Sequence, residues 1–141
     1  MTFIQIIGKC AARGLRPADI RAFLDGGGDV NCLDQRSGWT LLHFAAEDAN
    51  PEVIRLLVAS GAQLDLPDLG GQTPLHLAVD SDLDTSSRNG RRATAMPTTQ
   101  TLIELGADET RRAADGATPC DFAAAYGQEA LYDALSRQRC G

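Results

Sequence analysis

The chain has 141 residues, of which 43% are apolar, 23% are charged and 5% are aromatic, a composition typical of one soluble globular domain. Its formal charge of −6, from 19 acidic and 13 basic side chains, repels a polyphosphate backbone, so we expect no nucleic-acid partner. No window approaches the roughly 20 apolar residues that a membrane span needs, so we expect no membrane partner and a cytoplasmic location.

The first 29 residues predict a divergent opening unit of two helices. Apolar residues recur on one helical face after Phe3 and again after Pro17, at the spacing of an amphipathic helix. The first apolar run has no basic residue ahead of it, which is not the order found in a secretory signal.

Two short phrases then recur along the chain at one spacing. The first phrase is GWTLLHFAA from Gly38, GQTPLHLAV from Gly71 and GATPCDFAA from Gly116. The second phrase is GGDVN, then SGAQLD, then LGADET. In both phrases the copies are separated by 33 and then by 45 residues, so one repeat carries an insertion. Self-similarity at a period near 33 predicts a solenoid of stacked units.

Each copy of the first phrase predicts the start of a helix. Thr40, Thr73 and Thr118 stand at the N-cap position, where a hydroxyl can accept an unpaired backbone N–H. Pro74 and Pro119 follow at the first helical position, which tolerates a missing donor. The paired alanines that come next allow neighbouring helices to approach closely, and the glycine of the second phrase ends the second helix of each pair.

This pattern of Gly, Thr-Pro-Leu-His, paired alanines and a closing Gly-Ala-Asp resembles the ankyrin repeat, directly over residues 30–136 and weakly over the first 29. The resemblance implies an all-α solenoid of about four helix-turn-helix units joined by hairpin-like fingers. It also implies a concave binding face built from the fingers and the inner helices. The predicted units are a capping unit at 1–29, a repeat at 30–63, a repeat at 64–108 with an inserted loop at about 80–96, and a C-terminal capping repeat at 109–141.

The two histidines of the chain, His43 and His76, occupy the same place in the first phrase. In the ankyrin family this histidine is a buried hydrogen-bonding strut between adjacent repeats, so the resemblance implies a scaffold role for both. Asp121 fills this place in the last copy, which suggests that the terminal unit has no following neighbour. The assignment removes the most obvious general bases and metal ligands.

The other candidates for chemistry are weaker. Asp80, Asp82 and Asp84 alternate as in a calcium loop but lack its central Gly and its terminal Glu, so we interpret them as solvated loop acids. The four cysteines lie far apart and form no C-x-x-C pair, which indicates neither a zinc site nor a disulfide framework. Cys120 is interpreted as a buried packing thiol. We predict no catalytic residue, no metal and no cofactor.

The resemblance implies instead that the concave face binds a protein. Its variable positions fall just before the capping threonine and just after the paired alanines. The side chains predicted to contact a partner are Arg36, Ser37, Trp39, Glu47, Asp48, Leu69, Gln72, Asp80 and Tyr126. We expect Trp39 to be an exposed aromatic anchor, which is a residue type enriched at interface hot spots, with packing on a neighbouring finger as the alternative.

The insertion at about 80–96 is rich in Ser, Thr, Asp, Arg and Gly and predicts a mobile loop. Its basic cluster of Arg88, Arg91 and Arg92 suggests recognition of an acidic partner. A neutral loop is equally compatible with the sequence, because each doubling of loop length costs only about 0.6 kcal/mol.

The sequence therefore predicts a non-enzymatic adaptor, or an inhibitor of the immunity type, that sequesters a protein partner and is a monomer on its own. The alternative is an enzyme or a metal-binding protein that uses the repeat scaffold. Lys9 is the only lysine among the 13 basic residues, a usage that suggests a GC-rich bacterial gene.

Overall fold

The chain folds into a row of helix pairs. A computed structural model describes residues 2–88, 90 and 95–136, apart from the side chains of residues 9–13 and 85–87. The helices are α1 (Phe3–Arg13), α2 (Pro17–Asp25), α3 (Leu41–Glu47), α4 (Pro51–Ala59), α5 (Pro74–Arg88), α6 (Pro97–Glu104), α7 (Pro119–Ala125) and α8 (Glu129–Leu135). The predicted all-α architecture is confirmed. Within the described ranges, no helix is both long enough and apolar enough to cross a membrane.

The helices form an inner and an outer row. In the inner row α3 packs on α5 and α5 packs on α7, and in the outer row α2 packs on α4 and α4 on α6. Consecutive helices pack against each other as pairs, with α1 on α2, α3 on α4, α5 on α6 and α7 on α8. The inner helices α3 and α5 therefore each contact their own outer helix and the next inner helix, as a solenoid requires.

Three fingers connect successive pairs, and we define finger 1 as residues 29–40, finger 2 as 62–73 and finger 3 as 107–118. Each finger is a hairpin-like turn that two backbone hydrogen bonds close. The wider bonds run from Asp34 N to Trp39 O (2.8 Å), from Asp68 N to Gln72 O (2.9 Å) and from Ala113 N to Ala117 O (2.8 Å), and within each turn a glycine N–H donates to the carbonyl of the same first residue.

The residues expected to start helices do so. Thr40 and Thr118 are N-caps with extended backbones, before α3 and α7. At α7 the cap is reciprocal, because Asp121 N donates to Thr118 Oγ1 (3.2 Å) and Thr118 N donates to Asp121 Oδ2 (2.9 Å). Asn50 caps α4 by accepting from Val53 N. Each such cap contributes about 1 kcal/mol to helix stability.

The core divides into two clusters along the solenoid. The larger one spans the first three helix pairs and includes Leu41, Ile54, Leu57, Leu75 and Leu102. The smaller one joins the far part of α5 to the C-terminal pair, and its buried members are Val79, Leu83, Met96, Cys120, Ala123 and Tyr132. The C-terminal pair is thus packed on α5 through this second cluster.

The prediction of a loop over 80–96 is wrong for its first half, because α5 continues to Arg88. Leu83 lies four residues after Val79 on the buried face of this helix and is only 2% exposed. Polar residues dominate the segment, but Leu83 and Met96 supply enough apolar surface to pack the extension against the second cluster. The chain then re-enters the core at Met96, which is fully buried.

Asp82 is likewise not a solvated loop acid. It is 7% exposed, and its Oδ2 accepts from both Thr99 N and Thr99 Oγ1 at 2.9 Å. Because Met96, the N-cap of α6, makes no side-chain cap hydrogen bond, the carboxylate of α5 supplies the cap from a neighbouring helix. The physical reason for the wrong interpretation is that this cap is tertiary and leaves no local sequence signal.

The cysteines also depart from the expected pattern. Cys120 is 7% exposed and forms a disulfide, so its interpretation as a packing thiol is wrong, whereas Cys32 is a free thiol. Spacing along the chain did not indicate the bond, because the fold and not the sequence separation sets the distance between two sulfurs.

Candidate partner-binding surface

The two histidines connect successive repeats. His43 is fully buried; its Nδ1 accepts from Thr40 N (3.1 Å) and its Nε2 lies 3.0 Å from Gln72 O on the next finger. His76 repeats this arrangement, with Nδ1 bonded to the matching threonine and Nε2 2.9 Å from Ala117 O. Because each Nδ1 accepts a backbone N–H, each Nε2 carries the proton and donates it to the carbonyl.

The electrostatics of both imidazoles agree with this role. Burial lowers the pKa of His43 and of His76 below 6.5, although the hydrogen bond to the neighbouring carbonyl partly offsets the effect. Both rings are therefore neutral near pH 7. Since Nδ1 is the only nitrogen without a proton and it accepts the backbone N–H of the capping threonine, neither histidine can accept a proton from a substrate without losing that cap.

Trp39 lies between two fingers and is half-buried rather than exposed. Its indole Nε1 donates to Asp68 Oδ2 on finger 2 at 2.9 Å. Its ring stacks against His43 and meets the ring of Phe44 edge to face, with centroids 5.0 Å apart in the second case. The expectation that Trp39 is an exposed anchor is therefore wrong. Trp39 packs on the neighbouring finger, because Asp68 offers an acceptor for the indole N–H.

The most exposed large apolar residue of the fingers is Leu69, which is 73% exposed on finger 2, whereas Leu33 on finger 1 is 50% exposed. It directly follows Asp68, which accepts the hydrogen bond of the Trp39 indole. Arg36 is exposed on finger 1, and Gln72 is half-buried. We call Arg36, Trp39, Leu69 and Gln72 the finger patch.

Ser37, a further predicted contact residue, serves the finger itself. Its Oγ donates to Asp34 Oδ2 at 3.1 Å, and it accepts from Trp39 N at 3.2 Å. Sequence reasoning passed over Asp34 and Asp68, which hold these two turns. The available signal was that Asp at the start of a turn often bonds the backbone two residues later, as Asp68 does with Gly70 N.

A second group of predicted residues meets at the far ends of the inner helices. Tyr126 donates its hydroxyl to Asp80 Oδ1 at 2.8 Å, and Arg88 pairs with Asp84 at 2.9 Å. Glu47 ends α3 close to these acids. We call Glu47, Asp80, Asp84 and Tyr126 the helix-end patch.

The helix-end patch carries an excess of negative charge. Partial burial raises the pKa of Glu47, and the charges of Asp80 and Asp48 raise it further. Partial burial and the hydrogen bond to Asp80 raise the pKa of Tyr126 to about 12. Three carboxylates thus lie near a single described cation, Arg88. Arg91 and Arg92, predicted as its partners in a basic cluster, lie outside the described residues.

The predicted contact residues lie in two patches. The 7 residues of α3 separate Trp39 from Glu47 by about 10 Å along the helix axis, at about 1.5 Å per residue. Asp48 points to the first unit, because its Oδ2 accepts from Leu15 N at 3.2 Å. Within the part of the chain that the structure describes, no three His, Cys, Asp or Glu side chains are arranged to hold a metal ion.

Comparison with known proteins agrees with this geometry. The family model described as ankyrin repeats in three copies matches residues 8–89. Neurogenic locus notch homolog protein 1 of Xenopus tropicalis is 33% identical over 142 residues, covering 92% of this chain and 5% of its own length. Human neurogenic locus notch homolog protein 4 is 33% identical over 119 residues, covering 84% and 5%. Human inversin is 29% identical over 112 residues, covering 77% and 10%.

A solved structure shares the fold. The ankyrin repeat domain of Bcl-3, a member of the IkappaB protein family, matches with a TM-score of 0.61 and 24% identity, over 75% of this chain and 41% of that one. The chain spans only 5–10% of the length of the curated relatives named above. The family model nevertheless covers more than half of this chain, and the chain belongs to the ankyrin-repeat family.

Proposed function

We propose that the protein is a non-enzymatic protein-interaction module that binds a protein partner through its finger patch and its helix-end patch. The observation that carries the proposal is the 73% exposure of Leu69 on finger 2. A large apolar side chain that is exposed on a rigid turn is available to a partner, because it does not pack in the core. Ankyrin-repeat relatives such as the notch homolog and Bcl-3 proteins support the general role.

Rigidity supports the proposal as well. Trp39 fixes finger 1 against finger 2 through its bond to Asp68, so Leu69 sits on a turn with little freedom to lose on binding. An interface that is already ordered costs less conformational entropy when it forms.

The charge pattern favours a partner of a particular chemistry. Glu47, Asp80 and Asp84 give the helix-end patch a negative potential, and the whole chain carries −6. A partner with an apolar pocket for Leu69 and basic residues about one inner-helix length away would match both patches. Such charges act mainly on the association rate and its dependence on salt.

Within this class, we favour a sequestering inhibitor or an adaptor. The cytoplasmic location expected from the sequence is not part of this proposal, because the disulfide of Cys120 is typical of an oxidising compartment. The alternative of an enzyme or a metal protein has less support, because both imidazoles are engaged between repeats.

The test is capture of the partner from the native host, identification by mass spectrometry and calorimetry on the purified pair. Leu69→Asp should weaken binding at least tenfold, about 1.4 kcal/mol, without loss of helical content. Glu47→Gln combined with Asp84→Asn should slow association and reduce its salt dependence.

A matched control removes two acids from the outer helices, with Glu104→Gln and Glu129→Gln. Both side chains are exposed, and the control removes as many negative charges as the test variant does, so an unchanged salt dependence is expected unless total charge alone sets it. Equal affinity of the Leu69→Asp protein and the wild type would reject the finger patch as the binding site.

A further inference from the structure

One cysteine of the C-terminal unit is oxidised, and the fold identifies its partner by elimination. Cys120 forms a disulfide, and the other cysteines of the chain are Cys10, Cys32 and Cys140. Cys32 is a free thiol. The partner of Cys120 within the chain is therefore Cys10 or Cys140.

The packing of the helices excludes Cys10. This residue belongs to α1, whereas Cys120 belongs to α7. α7 packs on α5 and α5 packs on α3, while α1 packs on α2 at the other end of the row. Packed helices are about 8–10 Å apart, so a row in which α3 and α5 lie between α1 and α7 separates these two by roughly 24 Å or more. A disulfide needs Cα atoms within about 7 Å of each other.

Cys140 lies within reach along the chain. α8 returns along α7 after a short turn, and Tyr132 and Leu135 of α8 share the second cluster with Cys120. The last turn of α8 is therefore beside the first turn of α7. Ser136 is the last described residue of this end, and Cys140 follows it by four residues. Four residues span up to about 14 Å, which exceeds the spacing of two packed helices.

We propose that the disulfide joins Cys120 to Cys140 and fastens α8 to α7 in a redox-dependent way, and we call this bond the terminal disulfide. Its formation removes one proton and one electron from each thiol. A small-molecule disulfide in the surroundings accepts both electrons and both protons and leaves as two thiols. A dithiol reductant reverses the step and is itself oxidised to a disulfide.

The C-terminal unit depends on this bond because few other contacts hold α8. The helix has 7 residues and one buried side chain, Tyr132, and helices shorter than about 12 residues are marginal without packing. The terminal disulfide closes the loop of residues 120–140, which contains α8. Closing such a loop reduces the freedom of the unfolded chain and so favours the folded unit. The oxidised protein keeps α8 on α7, and the reduced protein frays there.

Fraying at this end reaches the helix-end patch. Tyr126 is the C-cap of α7, and its hydroxyl donates to Asp80 Oδ1 at 2.8 Å. Loss of order in α7 and α8 removes this hydrogen bond. Reduction of the terminal disulfide therefore loosens one side of the patch.

Peptide mapping of the full chain identifies the partner of Cys120. The protein is oxidised in a glutathione buffer, its free thiols are alkylated, and it is digested with trypsin without reduction. Cleavage after lysine and arginine places Cys120 in peptide 113–137, Cys140 in 140–141 and Cys10 in 10–13. We expect peptide 113–137 to carry 140–141 and to lose it on reduction. A link to any other peptide, or an alkylated Cys120, would overturn the proposal.

Urea denaturation with and without a reductant measures what the terminal disulfide contributes. Tyr126 and Tyr132 report on the C-terminal unit, and Trp39 reports on the first units. Reduction of the wild type should lower the urea midpoint of the tyrosine signal by about 1 M, and that of the tryptophan signal by less. Cys140→Ser should show the lower tyrosine midpoint under both conditions. Cys32→Ser removes a free thiol, so it is the matched control and should respond as the wild type does.

Two outcomes of the denaturation would contradict the fastening of α8. The first is a tyrosine midpoint of the wild type that does not move on reduction, and the second is a response of Cys140→Ser equal to that of the wild type. Comparison of the oxidised and reduced wild type needs no substitution, so it decides the matter even where circular dichroism shows Cys140→Ser to be unfolded. All of these measurements use the protein without a partner and are independent of the proposed function.

Discussion

At the scale of single residues, we expect Trp39 to contribute to stability and Leu69 to contribute to binding alone. Trp39 packs on His43 and Phe44 and bonds Asp68, and full burial of a tryptophan is worth about 3–5 kcal/mol. Because Trp39 is half-buried, we expect Trp39→Ala to lower the free energy of unfolding by about 2 kcal/mol. Leu69→Ala should change it by no more than about 0.5 kcal/mol. Urea denaturation followed by circular dichroism measures both, and equal losses would contradict the assignment.

The position of Trp39 also marks a limit of sequence reasoning. Its place beside the capping threonine predicted a finger residue correctly, because the phrase repeats. Its exposure depended on Asp68, which is 29 residues away in sequence and belongs to the next unit. The periodicity describes each unit, whereas contacts between units depend on side chains that the repeat pattern leaves variable.

His43 and His76 make stability depend on pH. Burial lowers the pKa of both in the folded state below 6.5, so the unfolded chain binds protons at a pH at which the folded chain does not. The free energy of unfolding should therefore fall as the pH drops below 6.5, until the folded-state pKa is reached. Above pH 6.5 the two imidazoles are neutral in both states, so they do not make the free energy of unfolding depend on pH.

A variant with glutamine at both positions tests this dependence, because glutamine at the third helical position can still accept from the N-cap backbone. It should be less stable at neutral pH, by about 1–3 kcal/mol for each lost bond to the next finger. It should also lose less stability than the wild type between neutral pH and the range below 6.5. Asp82 and Glu47, whose pKa values are raised, contribute in the opposite direction and equally in both proteins. Identical pH dependence of the two would show that the imidazoles are not the cause.

At the scale of helices, Asp82 joins α5 to α6. Its carboxylate is the cap of α6, so we expect Asp82→Ala to lower the free energy of unfolding by about 1–3 kcal/mol, the cost of a lost cap and of buried donors left unpaired. Asp84→Ala is the matched control on the same helix. It removes a surface pair with Arg88, and such pairs contribute about 0.2–1 kcal/mol. Urea denaturation of the two variants under the same conditions measures both losses. A larger loss of unfolding free energy in Asp84→Ala than in Asp82→Ala would refute the capping role of Asp82.

The sequence predicted the starts of the inner helices better than it predicted the extension of α5, and the reason is physical. The starts of α3, α5 and α7 were predictable, because Thr and Pro act on the backbone within one turn. The extension of α5 was not, because its polar composition matches that of a loop. The signal that was available is the spacing of Leu83, four residues after Val79. Neither the tertiary cap by Asp82 nor the separation of the finger patch from the helix-end patch has a local signal.

At the scale of the whole molecule, the structure is a row of units coupled by their joints. Each unit contacts only its neighbours, so the coupling between units decides whether unfolding is cooperative. Two contacts connect the C-terminal unit to the rest: the second apolar cluster and the joint between finger 2 and finger 3, which is the hydrogen bond from Ala114 N to Gly70 O at 2.8 Å. Weakening this joint should separate the unfolding of the two parts.

Gly71 and Gly116 form a matched pair for measuring that coupling. Both have positive φ, so alanine at either position costs about 1 kcal/mol or more in backbone strain. Only at Gly71 does the new Cβ also press against Ala114 N, at 2.8 Å, and such overpacking costs about 1–3 kcal/mol more. In dilute solution Gly71→Ala should therefore lose more stability than Gly116→Ala.

The single tryptophan, Trp39, reports on the first units, and both tyrosines of the chain lie in the C-terminal unit. We expect the tyrosine signal of Gly71→Ala to be lost at a lower urea concentration than the tryptophan signal, while the two transitions coincide in Gly116→Ala. Coincident transitions and equal losses in both variants would mean that the finger joint does not couple the units.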